Sequence, residues 1–418
     1  MAVYIIEGST PLHGNIRVHG AKNAALPVLA AALLPPESEI EGCPRLSDTA
    51  AAMNILRSLG CRVEQQPDST AQVDSRPAQG WEIPESCMRE MRSSIIFLGA
   101  ILTRYGRARV SFPGGCELGP RPIDLHLAAL ERMGAVIRED HGALDCTVPM
   151  GRLHGAEIVL SFPSVGATQN VLIAAVLAEG RTILRGAAQE PEIDDLIRFL
   201  NGAGARIRQD FAGTLIVDGV DSLHAVRHRV IPDRIAAATY LCCAAAAGGS
   251  ITVEGCVPAH LAAVLPPLEQ AGCRVRTWRD AVAITVPKRL GSLGWVRTMP
   301  YPGFPTDAQA PVMTMAAVGD GTSIFVENIF ESRYKHAGEL NRLGAKIKLE
   351  GKVAVIEGVP QLSGAPVSAE DLRGGAALVI AGLAAQGETQ VMHPQYIDRG
   401  YAYFEENLRA LGADVYRI

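Results

Sequence analysis

Hydrophobic and polar positions along this chain repeat in one order six times. A helical run closes on a small glycine-centred phrase and then enters an alternating strand. The phrases are Leu59-Gly60-Cys61-Arg62-Val63, Met133-Gly134-Ala135-Val136-Ile137, Ala203-Gly204-Ala205-Arg206-Ile207, Ala271-Gly272-Cys273-Arg274-Val275, Leu343-Gly344-Ala345-Lys346-Ile347 and Leu411-Gly412-Ala413-Asp414-Val415. Successive glycines are roughly 70 residues apart, a period much longer than that of ordinary solenoids. Glycine just past a helix end is the left-handed cap from which a strand can leave.

A second marker recurs between these phrases. An Ala/Leu/Val-rich helix ends in glycine and a β-branched strand follows, as at Ala178-Glu179-Gly180-Arg181-Thr182-Ile183, Gly248-Gly249-Ser250-Ile251-Thr252-Val253, Asp320-Gly321-Thr322-Ser323-Ile324 and Gln386-Gly387-Glu388-Thr389-Gln390-Val391. These helices are apolar nearly all round and are expected to be buried. A third marker, a short strand after glycine, precedes each buried helix. The chain start fits it, with Glu7-Gly8 leading to Ile16-Arg17-Val18 much as Glu357-Gly358 leads to Pro366-Val367. Each unit therefore reads strand, buried helix, strand, amphipathic helix, strand, strand. The amino terminus reads as the closing strand of a repeat whose body is elsewhere, and it is expected to pair with the carboxy-terminal half. Three units per domain suit the lengths better than an open array.

Polar residues differ between copies while the apolar frame repeats, which is how function grafted onto a duplicated scaffold would look. They gather in two families of strand-to-helix loops. Lys22, Asn23, Arg92, Ser164 to Gly166, Arg234, Asp307 and Arg373 lie in the family before the buried helices. The loop of Cys116 and Arg121, then Arg333 and Arg399, lie in the family before the amphipathic helices. Helix N-termini present free N–H groups and a positive dipole end, which suit phosphate or carboxylate. Convergence of even four of Lys22, Arg92, Arg121, Arg333, Arg373 and Arg399 would imply a polyanionic ligand.

Overall charge sharpens that expectation, because these cations sit in a chain of net charge −5. The acidic balance argues against nonspecific nucleic-acid binding. Hydrophobic content of 48% with 20% charged residues predicts a large core. No apolar run reaches membrane-spanning length, and the start Met-Ala-Val-Tyr-Ile-Ile-Glu lacks signal-peptide order. Nine cysteines without a CxxC pair suggest free thiols in a reducing cytoplasm. No cluster has metal-ligand spacing, and His126 and His336 stand isolated.

Two positions carry the candidate chemistry. Cys116 lies in Ser111-Phe112-Pro113-Gly114-Gly115-Cys116-Glu117-Leu118-Gly119-Pro120-Arg121-Pro122-Ile123-Asp124, between a strand-like run and a helical pattern over 125–133. It reads either as an inert small apolar group or as a thiol whose pKa is lowered by Arg121 and the helix start. Asp307, in Gly303-Phe304-Pro305-Thr306-Asp307, reads either as a capping carboxylate or as a base among cations.

The chain resembles the UDP-N-acetylglucosamine 1-carboxyvinyltransferase branch of the enolpyruvyl transferase family, nearly end to end. The most specific pieces are Gly20-Ala21-Lys22-Asn23-Ala24-Ala25-Leu26-Pro27, Pro113-Gly114-Gly115-Cys116 with Gly119 and Arg121 to Asp124, Pro163-Ser164-Val165-Gly166-Ala167-Thr168, Phe304-Pro305-Thr306-Asp307 and Asp398-Arg399-Gly400-Tyr401. The Gly-Asn-Ala-Gly-Thr signature of the sister enzymes acting on shikimate 3-phosphate is missing. The resemblance implies an α/β (α+β) fold, a two-domain inside-out α/β barrel with three repeats in each domain. One domain would span 22–230 and the other 1–21 plus 231–418, with the active site in the cleft.

The implied reaction moves the enolpyruvyl group of phosphoenolpyruvate to the 3′-hydroxyl of UDP-N-acetylglucosamine and releases phosphate, the first committed step of peptidoglycan precursor synthesis. By carry-over, Cys116 is the general acid, or supports phosphate departure, and can form a covalent phosphoenolpyruvate adduct. Asp307 is the base, and Lys22, Arg121 and Arg399 hold the phosphate. Arg333 and Arg373 assist. Asn23, Arg92, Arg121, Pro122, Ile123, Asp124, Leu125, Ser164, Val165, Gly166 and Ile329 bind the nucleotide sugar. No metal or dissociable cofactor is expected, and fosfomycin is expected to act at Cys116. Phe162, Ala236-Ala237 and Pro394-Gln395-Tyr396 depart from the family pattern; none is a residue assigned to chemistry.

Overall fold

The glycine phrases are turns: Gly60, Gly134, Gly204, Gly272, Gly344 and Gly412 all have φ between +93° and +100°. Each follows an amphipathic helix, namely Ser47–Ser58, Asp124–Arg132, Pro191–Gly202, Leu265–Gln270, His336–Arg342 and Phe404–Ala410. A side chain in that backbone region is strained, so glycine lets the chain reverse into the next strand. The computed structural model describes residues 2–112, 123–210 and 213–418, with the backbone alone at Arg92.

The described residues divide into two compact units. One holds the residues from Gly20 to Ile231; the other holds those up to His19 and from Pro232 onward. In the first, the buried helix Phe97–Tyr105 packs against both Lys22–Ala31 and Val165–Ala175. Gly99 makes the second approach close, since a Cβ there would lie 2.6 Å from the Asn170 carbonyl oxygen. In the second unit, Arg234–Ala247, Gln309–Ala317 and Leu372–Ala384 pack pairwise. Most side chains of these helices are buried all round, which is why they carry no polar stripe.

Strands surround each helix trio as separate open sheets of one construction. Among the described residues, in the five four-stranded sheets an edge strand runs parallel to a central strand, which pairs antiparallel with a third, itself antiparallel to a fourth; the sheet of Arg107–Ser111, Ala143–Thr147 and Val136–Asp140 has three strands, with a single parallel bridge from Glu82 to Arg109 in place of the edge strand. Glu157–Val159, Arg181–Arg185, Leu215–Asp218 and Arg206–Gln209 form one such set. A parallel neighbour requires a crossover, and the buried helix Val165–Ala175 supplies it. Gly294–Arg297, Thr322–Val326, Val353–Glu357 and Lys346–Glu350 repeat the pattern in the other unit.

Three sheets take strands from far along the chain. Val3–Glu7 lies between Glu388–Met392 and Asp414–Arg417, antiparallel to both, and completes the last sheet. Leu12–Arg17 precedes the helix Lys22–Ala31 in sequence but pairs with Gly249–Glu254. Reciprocally, Val226–Arg229 precedes Arg234–Ala247 but pairs with Glu37–Glu41. The edge strands of the first and fourth repeats are thus exchanged, and the chain passes between units after His19 and after Ile231.

Candidate active site

In the 20–231 unit, Lys22 is the first residue of its helix, and its Nζ donates to Asp48 Oδ2 at 2.9 Å. Asp48 comes from the first turn of Ser47–Ser58, and both side chains are nearly buried. A buried ammonium needs such a partner, and the pairing fixes where Lys22 points. Asn23 follows on the same helix and is half-buried. Arg92 opens the short 3₁₀ turn Arg92–Ile96.

Ile123 and Leu125 are half-buried and Asp124 is exposed at the start of Asp124–Arg132. This end meets the turn of Ser164, Val165 and Gly166 through His126. A Cβ on Gly166 would lie 2.9 Å from His126 Cε1. Asn170 Oδ1 accepts from the Gly99 N–H at 2.7 Å, and its amide nitrogen donates to the Ile95 carbonyl and to His126 Nδ1, each at 3.0 Å. His126 is therefore neutral with its proton on Nε2, the nitrogen nearer Gly166. Burial pushes its pKa down to about 4, with Asp124 opposing. An isolated histidine in the sequence is thus the joint between two stretches assigned to the nucleotide sugar. Nothing in the local pattern signalled this, because Asn170 lies 44 residues away.

In the other unit, Asp307 lies in the 3₁₀ turn Thr306–Ala308 ahead of Gln309–Ala317. It does not cap that helix; its neighbour Ala308 is the N-cap, with no side-chain bond. The capping reading is therefore set aside. Oδ1 accepts from Arg333 Nη2 at 2.8 Å and Oδ2 from Arg373 Nη2 at 3.0 Å. Both arginines are 2% exposed. Burial pulls the Arg373 guanidinium pKa down, but Tyr401, Asp307 and Asp233 together more than offset this and raise it. Arg373 Nε and Nη1 and Arg333 Nε are buried without a hydrogen-bond partner among the described residues. Guanidinium donors left over in this way can accept a multiply charged anion.

Arg399 is half-buried at the end of the turn Pro394–Arg399. Gly400 follows, then Tyr401, whose ring lies 5.3 Å from the Arg373 guanidinium and whose hydroxyl pairs with Thr239 Oγ1 at 2.8 Å. Ile329 is half-buried in the turn after Thr322–Val326, with its N–H bonded to Glu327 at 2.8 Å.

One expectation is corrected. Several helix starts that read as free anion sites are already capped. Asp233 Oδ1 takes the Ile235 and Ala236 N–H groups, and Asp371 Oδ1 takes those of Arg373 and Gly374. Ser164 Oγ takes the Ala167 N–H. Aspartate and serine are good caps, so one or two of the free N–H groups at each of these ends are already taken.

Cys116, Arg121 and Pro122 lie outside the described residues. The eight described cysteines are all free, and burial pushes Cys43, Cys146 and Cys273 up to about 12. Those thiols are therefore unreactive at neutral pH. Among the described residues no three His, Cys, Asp or Glu side chains could hold a metal ion. Among the described residues no helix is long and apolar enough to cross a membrane.

A sequence model of the EPSP synthase (3-phosphoshikimate 1-carboxyvinyltransferase) family matches residues 6–408. The chain is 50% identical to UDP-N-acetylglucosamine 1-carboxyvinyltransferase 1 of Symbiobacterium thermophilum, covering 99% of this chain and 95% of the relative. It is 47% identical to UDP-N-acetylglucosamine 1-carboxyvinyltransferase 2 of Caldanaerobacter subterraneus subsp. tengcongensis, covering all of both. Among solved structures it matches the enolpyruvyl transferase NikO from Streptomyces tendae with a TM-score of 0.90 at 27% identity, over 100% of this chain and 98% of that one. EPSP synthase from Acinetobacter baumannii shares the fold, with a TM-score of 0.76 at 17% identity over the full length of both chains.

Proposed function

The chain belongs to the EPSP synthase family of enolpyruvyl transferases, and from that premise we propose that it carries the enolpyruvyl group of phosphoenolpyruvate to the 3′-hydroxyl of UDP-N-acetylglucosamine, releasing phosphate. This is a cytoplasmic step of peptidoglycan precursor synthesis. The observation that carries the reading is the Asp307, Arg333 and Arg373 cluster, with its buried and partly unpartnered guanidinium groups. An enol phosphate that is also a carboxylate requires cations of this kind, and a hydroxyl that becomes a nucleophile requires a base beside it.

The residues would divide the work as follows. The Asp307 carboxylate takes the sugar hydroxyl proton. Arg333 and Arg373 hold that carboxylate and present their remaining N–H groups to the anionic substrate. Lys22, aimed by Asp48, joins Arg121 and Arg399 on the phosphate. Cys116 delivers a proton to the methylene carbon of phosphoenolpyruvate or assists phosphate departure. Asn23, Arg92, Pro122 to Leu125, Ser164 to Gly166 and Ile329 bind the nucleotide sugar, with His126 fixing two of these stretches against each other.

The test is phosphate release from phosphoenolpyruvate with UDP-N-acetylglucosamine, beside a reaction with shikimate 3-phosphate and a Cys116→Ala control. Release with the nucleotide sugar alone, lost in the variant, is expected. Release with shikimate 3-phosphate would move the chain to the sister activity. Fosfomycin should alkylate Cys116, and labelling at another cysteine would count against that residue's role.

A further inference from the structure

Glu327 follows the strand Thr322–Val326 and is 1% exposed. A carboxylate buried that deeply is tolerated only when its oxygens are satisfied, and here they are. Oε1 accepts from Thr298 Oγ1 at 2.9 Å, from the Ile329 N–H at 2.8 Å and from the Phe330 N–H at 3.1 Å. Oε2 accepts from Thr306 Oγ1 at 3.0 Å. Thr298 Oγ1 in turn accepts the Asn328 N–H at 2.8 Å. One side chain thus gathers the turn over 327–330, the end of the neighbouring strand and the turn that carries Asp307.

The connection reaches the reacting group. Thr306 is bonded to Asp307 along the chain, and its carbonyl accepts from Arg333 Nη2 at 3.2 Å. The same nitrogen donates to Asp307 Oδ1 at 2.8 Å. Anchoring the Thr306 hydroxyl therefore fixes both the backbone that bears Asp307 and the carbonyl that helps aim Arg333. The other end of the carboxylate fixes Ile329. Charge-assisted bonds to backbone N–H groups are the strong kind, suited to holding two turns in one register.

We infer that Glu327 is a positioning residue: through Thr306 it sets Asp307 against Arg333 and Arg373, and through the Ile329 N–H it sets the neighbouring sugar-binding turn in the same frame. This rests on Asp307 being the base that takes the sugar hydroxyl proton. A base displaced by even about 1 Å can lose on the order of a hundredfold in rate while substrate still binds.

The test compares four single variants and one double variant of the full chain in the phosphate-release assay. Thr306→Val removes the donor while keeping the shape, Thr306→Ser keeps the donor, Glu327→Gln keeps the outline of the carboxylate, and Asp307→Asn is the reference. Thr306→Val should lower kcat by roughly tenfold to a hundredfold with the KM for phosphoenolpyruvate within about twofold. Thr306→Ser should recover most of the rate. Thr306→Val combined with Glu327→Gln should lose less than the two single losses multiplied, because both act on one bond. Wild-type kcat in Thr306→Val, equal losses in the valine and serine variants, or fully multiplicative losses would each overturn the inference. With an active wild type and an inactive Asp307→Asn, such a result rejects the positioning role alone. A wild-type rate in Asp307→Asn rejects the base assignment and this inference with it.

Discussion

At Asp307 one partly exposed carboxylate meets two buried guanidinium groups, so the two arginine charges are compensated where water does not reach them. Buried histidines show the same economy of charge. Burial pushes His126 and His336 down to about 4 from an ordinary 6.5. At His336 Arg333 adds to the drop while Asp371 opposes it. Between pH 6.5 and 4 the unfolded chain binds protons that the folded chain does not, so stability is retained above this window and falls as pH falls through it. Each histidine should therefore steepen the loss of stability across this window. Urea unfolding at pH 7, 6 and 5 should show a shallower pH dependence in His126→Gln, whose amide oxygen can still accept from Asn170. An unchanged slope would show that His126 does not take up a proton on unfolding.

Among the elements, the glycines fall into two physical classes. Gly344, at φ +93°, has nothing within 4 Å of where a Cβ would stand. Its only requirement is the left-handed backbone, so Gly344→Ala should cost about 1 kcal/mol and Gly344→Asn less. Gly358 is different, since a Cβ there would lie 1.8 Å from the Gly319 carbonyl oxygen. Alanine at that position must move backbone, and its thermal midpoint should fall well below that of Gly344→Ala. Equal midpoints would mean the 358 contact relaxes freely. The periodic glycines were legible as helix ends because a cap is a local event. The close-approach glycines were not, because their partner lies elsewhere along the chain, as Gly319 does for Gly358.

On the scale of the whole molecule, the strand exchange makes the two units unequal as fragments. Residues 20–231 contain every strand of their three sheets. Residues 232–418 lack Val3–Glu7, which is the inner strand of one sheet, and Leu12–Arg17, the edge of another. The fragment 20–231 should therefore give a cooperative melt on its own. The fragment 232–418 should not, until residues 1–19 are joined to its carboxy terminus by a flexible linker. A cooperative melt of 232–418 alone would show that Val3–Glu7 is dispensable.

The sequence by itself determined the alternation of helices and strands, the buried character of one helix in each unit, the six-fold repeat and the displaced amino-terminal strand. All of these rest on periodicity, on glycine's backbone freedom or on matching one copy against another, and such signals are written within a few residues or repeated. Lys22, Asp307, Arg333 and Arg373 could be picked out as charges in the right loops. Tertiary structure alone decided which charges meet, because Asp307 finds its partners 26 and 66 residues away. It also decided that Asp233 and Asp371 close their own helix starts. Asp48, His126 and Glu327 could not be told from solvated polar residues in the sequence. What distinguishes them is burial and the geometry of donors brought in from other elements, and neither exists until the chain has folded.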